Sequence, residues 1–398
     1  MRKITSFLFL LAGLNVYSQG PEVTSWIINT TSATGYAGIP SNVQQVQYSS
    51  LNVYVSCTCI PSYNIGPWPG NPNVASNQNF VFKITRNPQQ NTGTPTAVGL
   101  GHIGVWTNGV SIYNVSDAQS YMNQGIWNRN AYFWEGSGFD NCLGHPQQQG
   151  EYHHHVSPTC LYDETDSTVH SPIIGYAFDG FPVYGAYAFT DTNGTGPIKR
   201  MRSSYVLSTS TTRVNGPVVN STYPAGCFIE DHIYVAGSGD LDQRNGRYCK
   251  TPEYPNGTYA YFVTLDASLT PEFPYTFFGT YYGVVQAGNI GPGSGHNIPS
   301  ESVTTYLPSG MNETESEIQF SVYPNPASDF VAMFISPSAF NNSQVMLVNA
   351  VGQKIFEQNM MQPAITYFFD ISRAEAGIYN LVVRNGSAVT SKKVVVVK

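Results

Sequence analysis

The feature that most limits the fold of this chain is the frequency of glycine and proline, which interrupt its apolar runs. The 398 residues include 37 glycines and 26 prolines, and no stretch has the long apolar periodicity of a helix. Four short runs rich in strand-forming residues are strand candidates: 45–56, 79–85, 173–178 and 257–265. We therefore predict a mostly β protein, in which a large irregular β domain with long loops is followed by a small Ig-like β-sandwich.

The charge of the chain argues against several classes of protein. Only 11% of the residues are charged, which is too few for a coiled coil, and no basic run marks a nucleic-acid-binding surface. Two of the 18 basic residues precede residue 19 and six lie beyond residue 317, as do four of the 25 acidic residues. Residues 19–317 therefore hold ten basic and 21 acidic residues, a net charge of −11 that suits cations or neutral ligands.

The N-terminal segment 1–18 has the pattern of a secretory signal peptide. Arg2 and Lys3 precede an apolar stretch from 7 to 14, and the small residue Ser18 stands before Gln19 at a plausible cleavage point. This stretch is too short to cross a bilayer, and no other segment approaches the required length of about 20 apolar residues, so we predict no transmembrane segment in the mature chain.

The C-terminal segment has a composition of its own from residue 318 onwards. Short β-type runs alternate with turns at Gly352, Gly377 and Gly386, which predicts a small β-sandwich. The runs lie at 345–348, 366–371, 377–384 and 392–397.

The order of short motifs in this segment is also specific. The order Tyr-Pro-Asn-Pro-Ala-Ser (323–328), Gly-Gln-Lys (352–354), Gly-Ile-Tyr (377–379) and a final Lys-Lys-Val-Val-Val-Val-Lys closely resembles the type A C-terminal sorting domain of the type IX secretion system of Bacteroidetes. The resemblance implies that the type IX machinery is a partner and that the protein is secreted or held at the outer-membrane surface. Both outcomes stay open, as does an ordinary carbohydrate-binding sandwich.

Five of the eight histidines lie between residues 145 and 170. Because side chains alternate along a strand, His153 and His155 would share one face, with His154 on the other beside Tyr152. Two imidazoles with this spacing form half of a metal site, to which His145 or His170 would add a third ligand. Imidazole ligands favour Cu(II) or Zn(II).

Other side chains are alternative ligands or would support the histidines. These candidates are Tyr152, Asp163, Asp179, Asp242 and Glu253. A Ca²⁺ site is a weaker alternative, since hard oxygen ligands exist but no EF-hand spacing is present. Its ligands would be Asp179, Asp240, Asp242 and Glu253.

The sequence around these histidines is similar to a known family. Gly-Glu-Tyr-His-His-His (150–155), Cys-Leu-Tyr-Asp (160–163) and His-Ser-Pro-Ile-Ile-Gly-Tyr-Ala-Phe-Asp-Gly-Phe-Pro-Val-Tyr-Gly (170–185) strongly resemble the YHYH domain of secreted proteins. Residues 104–114, 241–247 and 252–259 agree with it. One departure is His154, which stands where the family has its second tyrosine.

We accordingly predict four segments in the chain. They are a signal peptide at 1–18, a YHYH-type β domain at 19–290 with its core at about 80–285, a linker at 291–317 and a sorting domain at 318–398. The resemblance supplies candidate residues and no reaction, so the catalytic residues stay unknown and the question of an enzyme stays open.

Three functions remain open at this point. The first is binding of a metal ion by the histidine cluster. The second is a metal-dependent hydrolase or another extracellular enzyme, although no Gly-x-Ser-x-Gly or His-Glu-x-x-His motif is present. The third is a glycan-binding or adhesion module without catalysis, in which tryptophans would stack on a glycan or another small ligand; the candidates are Trp68, Trp106, Trp127 and Trp134.

Six cysteines allow 15 disulfide connectivities. A Cys142–Cys160 bridge would enclose the histidine run, and a Cys227–Cys249 bridge would enclose the segment 241–247. We predict these two bridges and leave Cys57 and Cys59 unassigned.

Overall fold

A computed structural model describes residues 19–291, 293–308, 320–335, 343–349, 353–360, 366–385 and 388–398. The chain divides into two compact units between Tyr306 and Leu307. The predicted signal peptide, residues 309–317 of the predicted linker, and the predicted turns at Gly352 and Gly386 lie outside the described residues.

The first unit consists of short strands joined by long loops. Its strands are β1 Val43–Tyr48, β2 Asn52–Cys57, β3 Phe80–Thr85, β4 His102–Trp106, β5 Ser111–Tyr113, β6 Ser116–Ser120, β7 Asn128–Asn130, β8 His145–Pro146, β9 Tyr152–His154, β10 Ile173–Ala177, β11 Pro182–Tyr184, β12 Tyr187–Phe189, β13 Ile198–Arg200, β14 Tyr205–Leu207, β15 His232–Tyr234, β16 Gly246–Cys249, β17 Thr258–Phe262 and β18 Thr304–Thr305. The helices are single turns: α1 Pro21–Thr24 and α2 Ala131–Trp134, with 3₁₀ turns at Tyr36–Gly38, Tyr121–Asn123, Gly136–Gly138 and Ile229–Asp231. The mostly β prediction is confirmed.

The predicted strand 45–56 is in fact a hairpin of two strands, β1 and β2. The first strand ends at Tyr48, and the hydroxyl of the next residue, Ser49, accepts hydrogen bonds from the backbone N–H groups of Leu51 and Asn52. Such a side-chain bond to the following backbone stabilises a tight turn. The other three predicted strands in this unit each contain one observed strand.

An eight-stranded sheet forms the centre of the first unit, in the order β16-β17-β11-β10-β4-β5-β9-β8. The β11–β17 and β5–β9 pairs are parallel, and the others are antiparallel. All residues of β4, β10, β11 and β17 are buried, so both faces of the inner strands are covered. Two glycines, Gly104 and Gly175, let β4 and β10 approach their neighbours closely.

A four-stranded sheet, β18-β1-β2-β3, forms the second layer of this unit. Its edge strand β18 comes from the segment that we predicted to be a linker. The Glu301 carboxylate accepts hydrogen bonds from Ser49, Asn52 and Tyr54, and Thr304–Thr305 pair with β1. Residues 301–306 are therefore part of the first unit's structure, and their Ser- and Thr-rich sequence gave no strand signal.

The second unit is a small sandwich of two sheets. Its strands are β19 Phe320–Tyr323, β20 Phe330–Ile335, β21 Gln344–Asn349, β22 Lys354–Asn359, β23 Thr366–Asp370, β24 Gly377–Asn385 and β25 Ala388–Val396. The sheets have the orders β19-β20-β23 and β22-β21-β24-β25. Both contribute buried side chains to one core, among them Val331, Phe369, Leu381 and Val394.

One of the two predicted disulfides is present, and the other is not. Cys142 and Cys160 are bonded. Cys227 and Cys249 are buried free thiols, so the prediction of a bridge between them was wrong. The carbonyl of Cys227 accepts from Asn130 and Trp134, whereas Cys249 lies in the β16–β17 hairpin. Cys57 and Cys59 are also buried free thiols.

No helix among the described residues is long and apolar enough to cross a membrane.

The close strand approach at Gly175 predicts a clear effect of Gly175→Ala. A Cβ atom there would lie 2.8 Å from Cε3 of Trp106 and 2.9 Å from the carbonyl oxygen of Val105, both buried groups. We expect the free energy of unfolding of the first unit to fall by about 1–3 kcal/mol in urea unfolding. Gly99→Ala is the matched control, since no heavy atom lies within 4 Å of its Cβ position; a change of more than about 0.5 kcal/mol there, or none at Gly175, would contradict the packing described.

Candidate metal centre

Strands β8 and β9 bring three histidines together at one end of the eight-stranded sheet. His145 stands opposite His153 in the antiparallel β8–β9 pair, and His155 follows His153 by two residues. Directly opposed residues project their side chains to the same face, as do residues two apart along a strand. One ligand atom from each of these three buried side chains lies within 4.8 Å of the others.

Backbone hydrogen bonds assign the proton on two of the rings. Nδ1 of His153 lies 3.0 Å from the carbonyl oxygen of Glu151, and Nδ1 of His155 contacts the carbonyl oxygen of Asn114. A carbonyl only accepts, so both Nδ1 atoms carry hydrogen and donate. In the neutral rings, both Nε2 atoms are then acceptors, and they face one another at 3.1 Å.

His145 and Glu135 supply two further buried polar atoms to the same place. Nε2 of His145 and Oε2 of Glu135 have no hydrogen-bond partner, and they lie 3.6 Å apart. The same carboxylate oxygen is 3.3 Å from Nε2 of His155. Buried polar atoms without partners are rare in folded proteins, and here they converge on one point.

Burial disfavours the protonated form of two of these histidines, His145 and His153. Burial and the neighbouring histidines lower the pKa of His153 well below 6.5 and that of His145 to about 4. For Glu135, burial raises the pKa, but the neighbouring His155 and His145 lower it by more, so the net shift is downward. The cluster therefore combines a carboxylate of lowered pKa with two imidazoles, those of His145 and His153, whose protonation is disfavoured.

Aromatic side chains hold the imidazole rings in position. Tyr113 stacks on His153 with 3.7 Å between ring centroids, and its hydroxyl donates to Oε2 of Glu151 at 2.9 Å. Phe139 lies 4.7 Å from His145, centroid to centroid, and parallel to His155. These contacts restrict ring rotation, so the nitrogen positions are set before any ligand binds.

The centre is open on one side to a cavity of about 690 Å³. His145, His153, His155 and Glu135 line this cavity, together with the carboxylate of Asp117. The rest of the lining is mostly neutral: Pro69, Gly70, Asn71, Pro72, Asn73, Leu100, Gly101, Tyr113, Ser116, Ala118, Gln119, Trp134, Ser137, Gly138, Pro146, Gln147 and Gln148. The histidine cluster therefore lies in the wall of a cavity that is large enough for a small molecule.

The predicted ligand His170 lies away from this cluster. Its ring contacts Tyr184 and Phe189, and its Nδ1 donates to the carbonyl oxygen of Ser171. The reason is topological: His170 precedes β10, and β4 and β5 separate β10 from β9 in the sheet.

The predicted supporting carboxylates also have partners elsewhere. Asp163 is exposed and accepts from Thr165. Asp179 accepts from Tyr261, Asp242 from Tyr259, and Glu253 from Tyr184, while Asp240 pairs with Lys199. The predicted calcium ligands are thus held separately by these partners.

Tyr152 and His154 occupy the face opposite the metal centre, as strand alternation predicted. The Tyr152 hydroxyl donates to Asp140 at 3.0 Å, and its ring meets that of His154 edge to face. Trp106 also packs edge to face against His154. These residues belong to the core and support β9 from behind.

Sequence reasoning missed Glu135 and Asp117. Glu135 ends the single-turn helix α2, whose first turn is stabilised by the Asn130 side chain accepting from the N–H of Tyr132. Asp117 lies on β6 and pairs with Arg129 at 2.9 Å. Neither has a motif spacing to the histidines, and the one available signal was that Glu135 is an acidic residue ten positions before His145.

Comparison with known families assigns two regions of the chain. Residues 81–275 match the family described as YHYH protein, and residues 321–397 match the secretion system C-terminal sorting domain. The chain therefore contains a YHYH domain and a type IX C-terminal sorting domain. The histidine cluster lies within the matched YHYH region. No curated protein shows a significant match to the chain.

The sorting domain also indicates the cellular location of the protein. This domain is the part that interacts with the type IX secretion machinery. The protein is secreted or displayed at the outer-membrane surface. The second unit therefore serves export.

The buried His154 predicts a specific dependence of stability on pH. Burial lowers its pKa to about 3, against about 6.5 in an unfolded chain. Between these values the unfolded chain binds a proton that the folded protein does not, so this residue costs stability as the pH falls below 6.5. The free energy of unfolding of His154→Phe should therefore rise, relative to that of wild type, by up to about 1.4 kcal/mol for each pH unit below 6.5.

Urea unfolding at pH 5 and at pH 7.5 measures this effect. Phenylalanine retains the ring contacts with Trp106 and Tyr152, and the pH 7.5 measurement corrects for any change in packing. An equal stability difference at both pH values would show that His154 is protonated in the folded protein.

Proposed function

We propose that the YHYH domain binds one divalent transition-metal ion, Zn(II) or Cu(II), through Nε2 of His145, His153 and His155, with Glu135 completing the ligand set. The observation that carries this proposal is the 3.1 Å contact between two Nε2 atoms that are both acceptors. Two facing lone pairs repel each other unless a cation lies between them. A proton is a poor occupant, because burial lowers the pKa of His153.

The distances support a metal ion of this type. Zinc bound tetrahedrally at about 2.0–2.1 Å has ligand atoms about 3.3 Å apart. The His153–His155, His155–Glu135 and His145–Glu135 distances are 3.1, 3.3 and 3.6 Å. Three imidazoles and one carboxylate are a ligand set that zinc accepts, and imidazole-rich sites also suit Cu(II).

The surroundings of the ligands support the same proposal. Histidines that ligate metals almost always donate their other ring N–H to a carbonyl or carboxylate, which orients the ring. His153 and His155 do so toward Glu151 and Asn114.

A metal-dependent hydrolase is the second candidate, and the cavity favours it. A metal that faces a 690 Å³ cavity can exchange a ligand for water, whose pKa a bound zinc lowers to about 7. Asp117 lines the same cavity and would be the group available to accept a proton from that water. Glycan binding has less support, because Trp68 and Trp106 are buried.

The export route extends this proposal. The segment 1–18 would direct the chain across the inner membrane before the type IX machinery moves it through the outer membrane of a Bacteroidetes cell. The metal would then be acquired or retained outside the cytoplasm.

Zinc titration of the purified full chain after chelator treatment tests metal binding. We expect wild type to bind one zinc ion per chain, as measured by calorimetry and metal analysis. His153→Ala and His155→Ala should each weaken binding at least tenfold, which is about 1.4 kcal/mol. Glu135→Gln should weaken it because it keeps the shape and removes the charge.

His154→Phe is the matched control, since it changes the neighbouring histidine on the opposite face of β9. It should retain one zinc with wild-type affinity. The proposal would be contradicted if His153→Ala bound one equivalent of zinc as tightly as wild type. It would also be contradicted if wild type bound neither zinc nor copper.

A further inference from the structure

A second polar cluster lies beside the metal centre and is formed by His102, Glu151 and Ser294. Nδ1 of His102 is 3.0 Å from Oε1 of Glu151, and Nε2 of His102 is 2.9 Å from Oγ of Ser294. The three residues line a separate cavity of about 370 Å³. Neither the YHYH match nor the proposed metal site gives them a role.

Three distant parts of the chain build this cluster. His102 begins β4, Glu151 directly precedes β9, and Ser294 lies in the Gly-rich segment after residue 290. Phe80, Phe82 and Phe178 surround the His102 ring edge to face and hold it in place. The histidine thus has a rigid position between the carboxylate and the hydroxyl.

The hydrogen bonds assign the protons in the cluster. The two carboxylate oxygens of Glu151 have different partners: Oε1 lies 3.0 Å from Nδ1 of His102, and Oε2 accepts from the Tyr113 hydroxyl at 2.9 Å. An ionised carboxylate only accepts, so Nδ1 of His102 carries the hydrogen. In the tautomer with hydrogen on Nδ1, Nε2 presents its lone pair to the Ser294 hydroxyl, 2.9 Å away.

The Ser294 hydroxyl has two competing acceptors in its own loop. Its Oγ lies 2.6 Å from the carbonyl oxygen of Gly291 and 3.1 Å from that of Asn289. One hydroxyl proton cannot serve all three acceptors at once. A small rotation about the Ser294 side chain moves that proton from the loop carbonyls to Nε2 of His102.

We propose that Ser294, His102 and Glu151 are the nucleophile, general base and orienting carboxylate of an esterase site. This is the arrangement of a serine hydrolase, in which the third group holds the histidine in the correct tautomer. Oγ of Ser294 attacks the ester carbonyl carbon, and its proton passes to Nε2 of His102. That proton leaves with the alcohol as the ester bond breaks, and water then releases the acyl group as a carboxylic acid and restores Ser294.

The cavity indicates the class of ester. Its lining combines apolar side chains, Phe80 and Leu100, with the amide side chains of Gln78, Gln147 and Gln149. No Lys or Arg is among the described residues that line it, and Glu151 adds a carboxylate, so the lining favours a neutral substrate over an anionic one. A volume of about 370 Å³ suits a small, neutral acyl ester, for which the amides are the available donors to the oxyanion.

The esterase site does not depend on the metal centre. Glu151 contacts both sites through different atoms: its side chain bonds His102 and Tyr113, whereas its carbonyl accepts from His153. Removing the metal leaves the Ser294–His102 contact in place, so the two proposals can fail separately.

A fluorophosphonate probe tests the proposal on the purified full chain, with and without zinc. We expect a covalent adduct on Ser294, identified by peptide mass spectrometry, and hydrolysis of p-nitrophenyl acetate at a rate above background. Ser294→Ala should remove both. Ser300→Ala is the matched control, because Ser300 is an exposed serine whose hydroxyl bonds Glu301, and it should retain both.

Variants of the other two residues separate catalysis from structure. His102→Gln should lower kcat about 10²- to 10⁴-fold, the usual contribution of a general base. Glu151→Gln should lower kcat with KM unchanged, since Glu151 positions His102 and does not touch the ester.

Adduct formation in chelator-treated wild-type protein would show that this site acts without the metal. An unmodified Ser294 in folded wild-type protein, checked by circular dichroism, would overturn the proposal, as would hydrolysis that persists in Ser294→Ala.

Discussion

Two imidazole nitrogens that face one another at 3.1 Å are the constraint around which this domain is arranged. Both belong to rings whose other nitrogen donates to a backbone carbonyl, so neither ring can turn its N–H toward the other without losing a buried hydrogen bond. Burial, to which the stacked ring of Tyr113 contributes, lowers the pKa of His153. A bound cation would relieve the repulsion and also engage the carboxylate of Glu135.

The fold places this pair through backbone register. β9 lies between β8 and β5 at one end of the sheet, and its pairing with β8 sets His145 opposite His153. A shift of one residue in this register would turn His154 toward the cavity and bury His153 against the core. Tyr152, bonded to Asp140, and the Cys142–Cys160 bridge next to the strand both oppose such a shift.

Much of this arrangement could be predicted from the sequence, because it rests on local rules. Strand alternation put His153 and His155 on one face and His154 with Tyr152 on the other, and the short runs broken by Gly and Pro indicated a mostly β fold. The family-specific residues revealed the YHYH and sorting regions. What failed depended on long-range topology: His170 is close in sequence but separated from β9 by two strands, and Cys227 and Cys249 lie in different parts of the unit. Glu135 and Ser294 reach their sites only through loop packing, for which a single sequence carries no spacing rule.

The most direct test of the account is X-ray absorption at the zinc edge of the zinc-loaded full chain. The account predicts a four-coordinate ion with three imidazole nitrogens and a carboxylate oxygen at about 2.0–2.2 Å. A shell of sulfur at about 2.3 Å would instead implicate thiolates such as Cys57 or Cys59. That result, or a spectrum without imidazole scattering, would contradict the assignment of His145, His153 and His155 as the ligands.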